Sequence, residues 1–246
     1  MNSAIGSIAR TNRLLDAIPA AHYPRLMDSL RPIFLDIKTV LFEPGQIIDF
    51  VDFPRNSVVS LVTPLKDGAV VEVATVGNEG IVGVPLRPGG SLAVRAVSSV
   101  AGWVDRIDAL SFLSEVERDG ALSDLVADYV EALFGQISQA AACNRLHSNE
   151  ARLSRWLLMT HDRLGTDEFA VTHEFLGQML GSTRPTLTLS AQTLQAAGLI
   201  RYHSGQITIV DRAGLESVAC ECYGTIKAAL DRVVRRASGR YDVTPV

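Results

Sequence analysis

The sequence predicts an α+β chain in three parts: an antiparallel β-roll, one long helix, and a small helical domain that ends in a β-hairpin. Three observations predict it. Short β-prone runs separated by turn residues fill the span from Thr39 to Ile107. A proline-free apolar stripe then recurs at helical spacing from Ala121 to His147. Beyond it, two short amphipathic stretches meet at Gly181 and are followed by β-rich runs around Ser204-Gly205. The expected divisions are residues 1–119, 120–147 and 148–246.

Residues 1–37 read as a helical lead-in, with Leu14, Leu15, Ile18, Tyr23, Leu26, Met27 and Leu30 as apolar positions and Pro19, Pro24 and Pro32 as breaks. The β-prone runs are Val40-Leu41-Phe42, Ile47-Ile48, Val58 to Val62, Val70 to Val76, Leu92 to Val100 and Trp103 to Ile107. Turn signals divide them at Glu43-Pro44-Gly45, Pro54-Arg55-Asn56, Asp67-Gly68, Gly77-Asn78 and Pro88-Gly89-Gly90. Many short strands at close spacing argue for a roll or barrel. Asp67-Gly68 is the strongest hairpin signal, because this dipeptide supplies the positive φ a tight turn needs.

The long helix would run about 40 Å at roughly 1.5 Å per residue, more than a small roll needs. A helix of this kind commonly forms a coiled-coil seam between two chains. Leu122, Val126, Tyr129, Leu133, Ile137 and Ala140 are the expected dimer contacts; the competing reading packs the same stripe on the chain's own roll. Glu150 to Leu164 reads as a further helix, with Leu153, Trp156, Leu157 and Leu158 inward, before a Gly165-Thr166-Asp167 turn. Ala213 to Arg236 reads as a helical tail.

The stretch around Gly181 carries the functional signal. Phe175, Leu176, Met179 and Leu180 recur at helical spacing behind Thr172, which can cap the helix. Gly181 turns the chain without steric penalty. Ser182 or Thr183 can cap a second helix, and Pro185 sits in its first turn, where a missing N–H costs little. Leu187, Ala191 and Leu194 form its inner stripe, leaving Thr183, Arg184, Thr186 and Thr188 on or near the outer face. Gly177 lets the two helices approach closely. This is the layout of a helix-turn-helix, whose second helix enters a DNA major groove. The runs Arg201-Tyr202 and Gln206 to Val210 add a hairpin whose tip can touch phosphates, the wing of a winged helix.

Charge is unevenly placed along the 246 residues, whose net charge is −4. Residues 1–148 hold 12 Lys+Arg against 17 Asp+Glu, whereas residues 149–246 hold 11 against 10. The C-terminal part is only mildly basic, far from the footprint of a non-specific nucleic-acid binder; two copies on two half-sites ease that objection. No run approaches the roughly 20 apolar residues of a membrane span. The N-terminus lacks a signal-peptide pattern. Cys143, Cys220 and Cys222 form neither an even disulfide framework nor a zinc pattern with matching ligands, so the expectation is a reducing cytoplasm, ordinary thiols, no metal and no cofactor. Cys220 and Cys222, two apart on a helix, would point to different sides; Cys143 is expected in buried packing, with an interprotomer redox contact as the alternative. A roll-type enzyme would need metal-holding histidines, and residues 39–108 contain none.

Roll, long helix and winged helix-turn-helix in that order resemble the Crp/Fnr family of bacterial transcription regulators. The resemblance is carried by FPRNSVVSLV (Phe53–Val62), DGAVVEVATVGNEGIVGV (Asp67–Val84), the helix-turn-helix, and LIRYHSGQITIVDRAGLE after it. It implies a cyclic-nucleotide-binding-like roll and a homodimer that reads a pseudo-palindromic site on double-stranded DNA, with RNA polymerase as a further partner. By resemblance Arg184 is the base-reading arginine, suited to a bidentate pair with guanine. Thr183, Pro185 and Thr188 lie beside it at base edges; Thr172, His173, Ser182 and the tip Ser204-Gly205-Gln206 are expected on phosphates. Ser190 and Leu189 depart from the family pattern, at an inner position and at a base-contact position respectively. Members that hold cyclic AMP use a Gly-Glu turn and an Arg-Ser pair. The matching places read Asn78-Glu79-Gly80 after Gly77, and Ser91 after Gly90, with the arginine absent. A cyclic phosphate there would lack its main partner. These four residues are the effector-pocket candidates of a regulator gated by a small molecule other than cyclic AMP.

Overall fold

The computed structural model of the chain describes residues 12–18, 24–85 and 87–241. Two short helices, α1 (Arg13–Asp16) and α2 (Pro24–Ser29), lead into the roll. Asn12 caps α1, its side chain accepting from the Leu14 and Leu15 amides and donating to the Pro54 and Gly80 carbonyls. The roll comprises β1 (Arg31–Leu35), β2 (Val40–Phe42), β3 (Phe50–Pro54), β4 (Val58–Pro64), β5 (Val70–Val76), β6 (Arg95–Val100) and β7 (Gly102–Asp108). They form two antiparallel sheets, ordered β1-β7-β3 and β2-β6-β4-β5. The expected hairpin joins β4 to β5, with Gly68 at φ 87° and the Ala69 amide held by the Asp67 carboxylate at 3.0 Å.

Several expectations for the roll are corrected. Pro32 is not a break in a helical lead-in but a residue of edge strand β1, the kind of strand in which proline is tolerated. Ile47 makes an isolated bridge to Ser91 rather than opening a strand. β3 went unread because Asp52 interrupts its apolar pattern; Asp52 is buried and paired with Arg106, its cross-strand neighbour, at 2.7 Å. Pro19 and Tyr23 lie outside the described residues.

After α3 (Ala109–Arg118), capped by Asp108, comes the long helix α4 (Gly120–Leu146). Then follow α5 (Asn149–Leu164), β8 (Glu168–Ala170), α6 (His173–Met179), α7 (Arg184–Ala196), β9 (Ile200–His203), β10 (Gln206–Ile209), α8 (Arg212–Val218) and α9 (Cys222–Tyr241). The expected tail is thus two helices. The second packs along α4 rather than against the helix-turn-helix.

That packing corrects the expected dimer seam. Leu122, Val126, Tyr129 and Ala140 are buried within the chain, and Leu133 and Ile137 pack against the same core. The roll and α9, through Ile226, Leu230 and Val233, have taken the large apolar side chains of α4. The face left exposed runs through Ala127, Glu131, Phe134, Ser138 and Ala141. Its spacing alternates four and three residues, as a coiled-coil seam requires. Relative to the expected stripe from Val126 to Ala140 it is displaced by about one residue, roughly 100° around the helix.

A joint of buried polar groups fixes α5 to the roll. Arg163 donates to Glu79 from Nε (2.9 Å) and Nη2 (2.7 Å), and to the Thr75 carbonyl at 2.8 Å. Both side chains are nearly sealed, 4% and 6% exposed. Gly77 makes room: a Cβ there would overlap the Arg163 stem. Glu72, also buried, accepts from Ser60 at 2.5 Å and from Trp156 Nε1 at 3.3 Å. Val58, Val62, Val97 and Val100 of the roll share one apolar cluster with Leu153, Trp156 and Leu157 of α5.

Candidate nucleic-acid interface

α6 begins where the Thr172 side chain accepts from the Phe175 amide at 3.2 Å. Its inner residues Phe175, Leu176, Met179 and Leu180 are all buried. Gly181, at φ 58°, turns the chain, and the Ser182 amide donates back to the Gly177 carbonyl at 2.8 Å. The close approach at Gly177 is real: a Cβ would meet the Ser182 carbonyl oxygen at 3.0 Å. Thr183 is the cap of α7, accepting from the Thr186 amide, with Pro185 in the first turn. Ser182 instead donates its hydroxyl to Asn149 at the start of α5, which ties the turn to the preceding helix.

Leu187, Ala191 and Leu194 seat α7 on the core. Burying each leucine contributes roughly 1.5–3 kcal/mol, enough to hold a helix of this length in one orientation. Ser190, at the unusual inner position, donates to Glu150 Oε1 at 2.7 Å and to the Thr186 carbonyl at 3.2 Å. That hydroxyl holds the Glu150 carboxyl below its ordinary range. A polar residue is tolerated here because it has a partner.

The opposite face of α7 is open. Thr183, Arg184, Pro185 and Thr186 are exposed and Thr188 is half-buried, its hydroxyl donating to the Arg184 carbonyl at 2.9 Å. Leu189 is 63% exposed, an apolar surface suited to a thymine methyl group. Gln192, four residues beyond Thr188 and eight beyond Arg184, extends the stripe. The sequence reading missed it, although the i, i+4 spacing from Arg184 is its signal. The amide of a glutamine on this face can pair with adenine.

The wing is a three-stranded sheet, β8-β10-β9, one strand more than expected. Its tip turns at Ser204 (φ 48°) and Gly205 (φ 82°), and Ser204 and Gln206 are exposed. Exposed Arg201 on β9 adds a cation that the sequence reading did not assign to the interface. His173 opens α6; its side chain lies outside the described residues.

The effector candidates are not brought together around a cavity. Glu79 is spent on Arg163, Asn78 donates to the Arg163 carbonyl at 3.1 Å, and Gly80 lies against the Tyr129 ring. Ser91 is exposed on a separate turn. The crevice bordered by Asn78 and Glu79 measures about 40 Å³, against roughly 300–1,000 Å³ for a small-molecule site. The cysteine expectation also changes. Cys220 precedes α9 rather than lying on it, so it and Cys222 face one point, together with Cys143 and His147. Cys143 is fully buried inside the chain, as packing predicts and an interprotomer contact does not.

The arrangement of β-roll, long helix and winged helix-turn-helix recurs in known proteins. Residues 151–218 match the Crp-like helix-turn-helix domain. FixK2 from Bradyrhizobium japonicum is similar in structure, with a TM-score of 0.67 and 16% identity over 78% of this chain and 98% of that one. A putative Crp/Fnr transcriptional regulator from Eubacterium rectale aligns at TM-score 0.62 and 16% identity, covering 83% and 96%. TTHB099, a Crp-family transcriptional regulator from Thermus thermophilus, gives 0.62 and 19%, covering 77% and 96%. No curated protein sequence matches the chain. In fold the chain is like these solved structures, and by sequence residues 151–218 are a Crp-like helix-turn-helix domain. Among the described residues no helix is long and apolar enough to cross a membrane.

Proposed function

We propose that the protein is a sequence-specific DNA-binding transcription regulator that acts as a homodimer on a pseudo-palindromic site. The observation that carries this reading is the two-faced character of α7: sealed and hydrogen-bonded inside, with Arg184 at its exposed N-terminal end. The N-terminal residues of such a helix are the ones that reach base edges. Arg184 reads guanine, Thr188, Leu189 and Gln192 read neighbouring bases, and Thr172, Arg201 and the wing tip hold phosphates. The exposed face of α4 supports a two-fold pairing. Phe134 (69% exposed) supplies its apolar centre, and Ala127, Gly135 and Ala141 let two helices approach closely. RNA polymerase is the further macromolecular partner this reading implies.

The test is Arg184→Ala in a binding assay at fixed salt, against a site selected from random DNA. Loss of one bidentate pair costs about 1–3 kcal/mol per half-site, so specific affinity falls at least several-fold while circular dichroism stays unchanged. Wild-type specificity in this variant refutes the assignment.

A further inference from the structure

Four side chains that the DNA-reading surface does not use converge where the long helix ends. Cys143 and His147 are spaced i, i+4 at the C-terminal end of α4, which places both on one face. Cys220 and Glu221 lie in the turn between α8 and α9, and Cys222 opens α9. One ligand atom from each of the four lies within 4.8 Å of all the others. Cys143 Sγ is 3.6 Å from Cys220 Sγ, and Cys222 Sγ is 3.5 Å from His147 Nδ1. Zinc binds sulfur at about 2.3 Å and imidazole nitrogen at about 2.0–2.1 Å, which makes the edges of its tetrahedron about 3.6–3.8 Å. These two contacts match such edges, and the other ligand pairs lie within 4.8 Å.

The surroundings carry the same chemistry. His147 Nε2 lies 3.3 Å from the Glu221 carboxylate, the outer partner that fixes an imidazole with its other nitrogen turned to a metal. Gln139 Nε2 donates to Cys222 Sγ at 3.1 Å, a bond that favours thiolate. Arg152 and Arg155 are buried on the adjoining helix, and the Nε atom of each lacks a hydrogen-bond partner among the described residues. Both lie close enough to Cys143 to interact with it electrostatically. Three thiolates and a neutral imidazole around a divalent ion carry a net charge of −1, which offsets part of that buried positive charge.

We infer that Cys143, His147, Cys220 and Cys222 form a Cys₃His site for one tetrahedral divalent ion of the zinc class. Its place gives it a role. His147 is immediately followed by Ser148, the cap of α5, and Cys220 follows α8. The two ligand pairs therefore bracket the DNA-reading module at its entry and its exit. The ion clamps both ends of that module to the long helix.

The test uses full-length, tag-free protein purified under reducing conditions without chelator. Elemental analysis is expected to give one zinc per chain, released when the thiols are blocked. Cys220→Ser and His147→Ala are expected to abolish stoichiometric binding. Glu221→Ala leaves all four ligands in place and alters a surface side chain (73% exposed), so it tests the site without threatening the fold. It is expected to keep one zinc but to bind it 10–100-fold more weakly in chelator competition. Replacement with cobalt(II) is expected to give a tetrahedral, thiolate-ligated spectrum that weakens in Cys220→Ser. Metal-free folded protein whose melting does not respond to added zinc overturns the inference. So does stoichiometric iron in place of zinc, or a Cys143–Cys220 disulfide in protein that has never held metal.

Discussion

Removing Glu79 tests how the DNA-reading domain is held on the roll. The Arg163 guanidinium is nearly sealed from water, and Glu79 is the carboxylate that faces it, through two hydrogen bonds of 2.9 and 2.7 Å. Glu79→Ala removes the carboxylate bonded to this buried cation and leaves it the hydrogen bonds to the Thr75 carbonyl and hydroxyl. Breaking a buried pair from one side costs about 3–5 kcal/mol. For a domain stable by roughly 5–15 kcal/mol that is a large share, and in urea it lowers the midpoint by roughly 1–2 M. The double variant Glu79→Leu/Arg163→Met removes both charges and is expected to recover most of the loss, because an apolar pair of similar volume needs no compensation. Equilibrium urea unfolding of the wild type, Glu79→Leu, Arg163→Met and the double variant closes the cycle. A loss below about 1 kcal/mol in Glu79→Ala, the value of an exposed pair, refutes the reasoning.

Gly77→Ala attacks the same joint from the other side. The new methyl group would overlap the Arg163 stem, so the variant is expected to lose stability by about 1–3 kcal/mol, measured by urea unfolding. Burial pushes the Glu72 carboxyl up to about 7 from its ordinary 4.5, against hydrogen bonds from Ser60 and Trp156 and the charges of Arg155 and Arg163. With its folded pKa the higher one, the native chain holds the extra proton between about pH 4.5 and 7. The stabilising contribution is therefore full below 4.5 and is lost as pH rises through 7, by about 3 kcal/mol. Glu72→Gln should flatten that part of the stability–pH curve; an unchanged slope counts against it. Phe134→Glu on the open face of α4 should leave monomer stability within about 0.5 kcal/mol and convert dimer to monomer in sedimentation; a persistent dimer places the seam elsewhere.

Local chemistry made the reading domain legible. Thr172, Gly181, Thr183 and Pro185 each fix a backbone position whatever surrounds them, so helix, turn and cap could be read in order. The hairpin at Asp67-Gly68 and the unbroken stripe of α4 were legible for the same reason. What stayed hidden depends on pairing across distance. Asp52 looks like a loop residue until Arg106 is placed opposite it. The stripe of α4 looks like a dimer seam until α9, some eighty residues later, is found lying on part of it. Glu79 resembles part of a phosphate cradle, yet Arg163 from another helix supplies its cation. The cysteines carried no pattern by themselves, because their fourth partner is a histidine one turn from Cys143 and Cys220 is not helical. α3 was the avoidable omission: Asp108 as a cap, with Ala109, Phe112, Leu113 and Val116 behind it, shows the signs that identified the other helices.

The most direct test of DNA reading by paired recognition helices is selection of bound sequences from random duplex DNA by the wild-type protein and by Arg184→Ala. The expected product is an inverted repeat with half-site centres about 10 base pairs apart, or a multiple of that spacing. Each half-site should carry a guanine that the variant no longer selects. Recovery of unrelated sequences with no repeat, or of the same guanine by both proteins, contradicts the account.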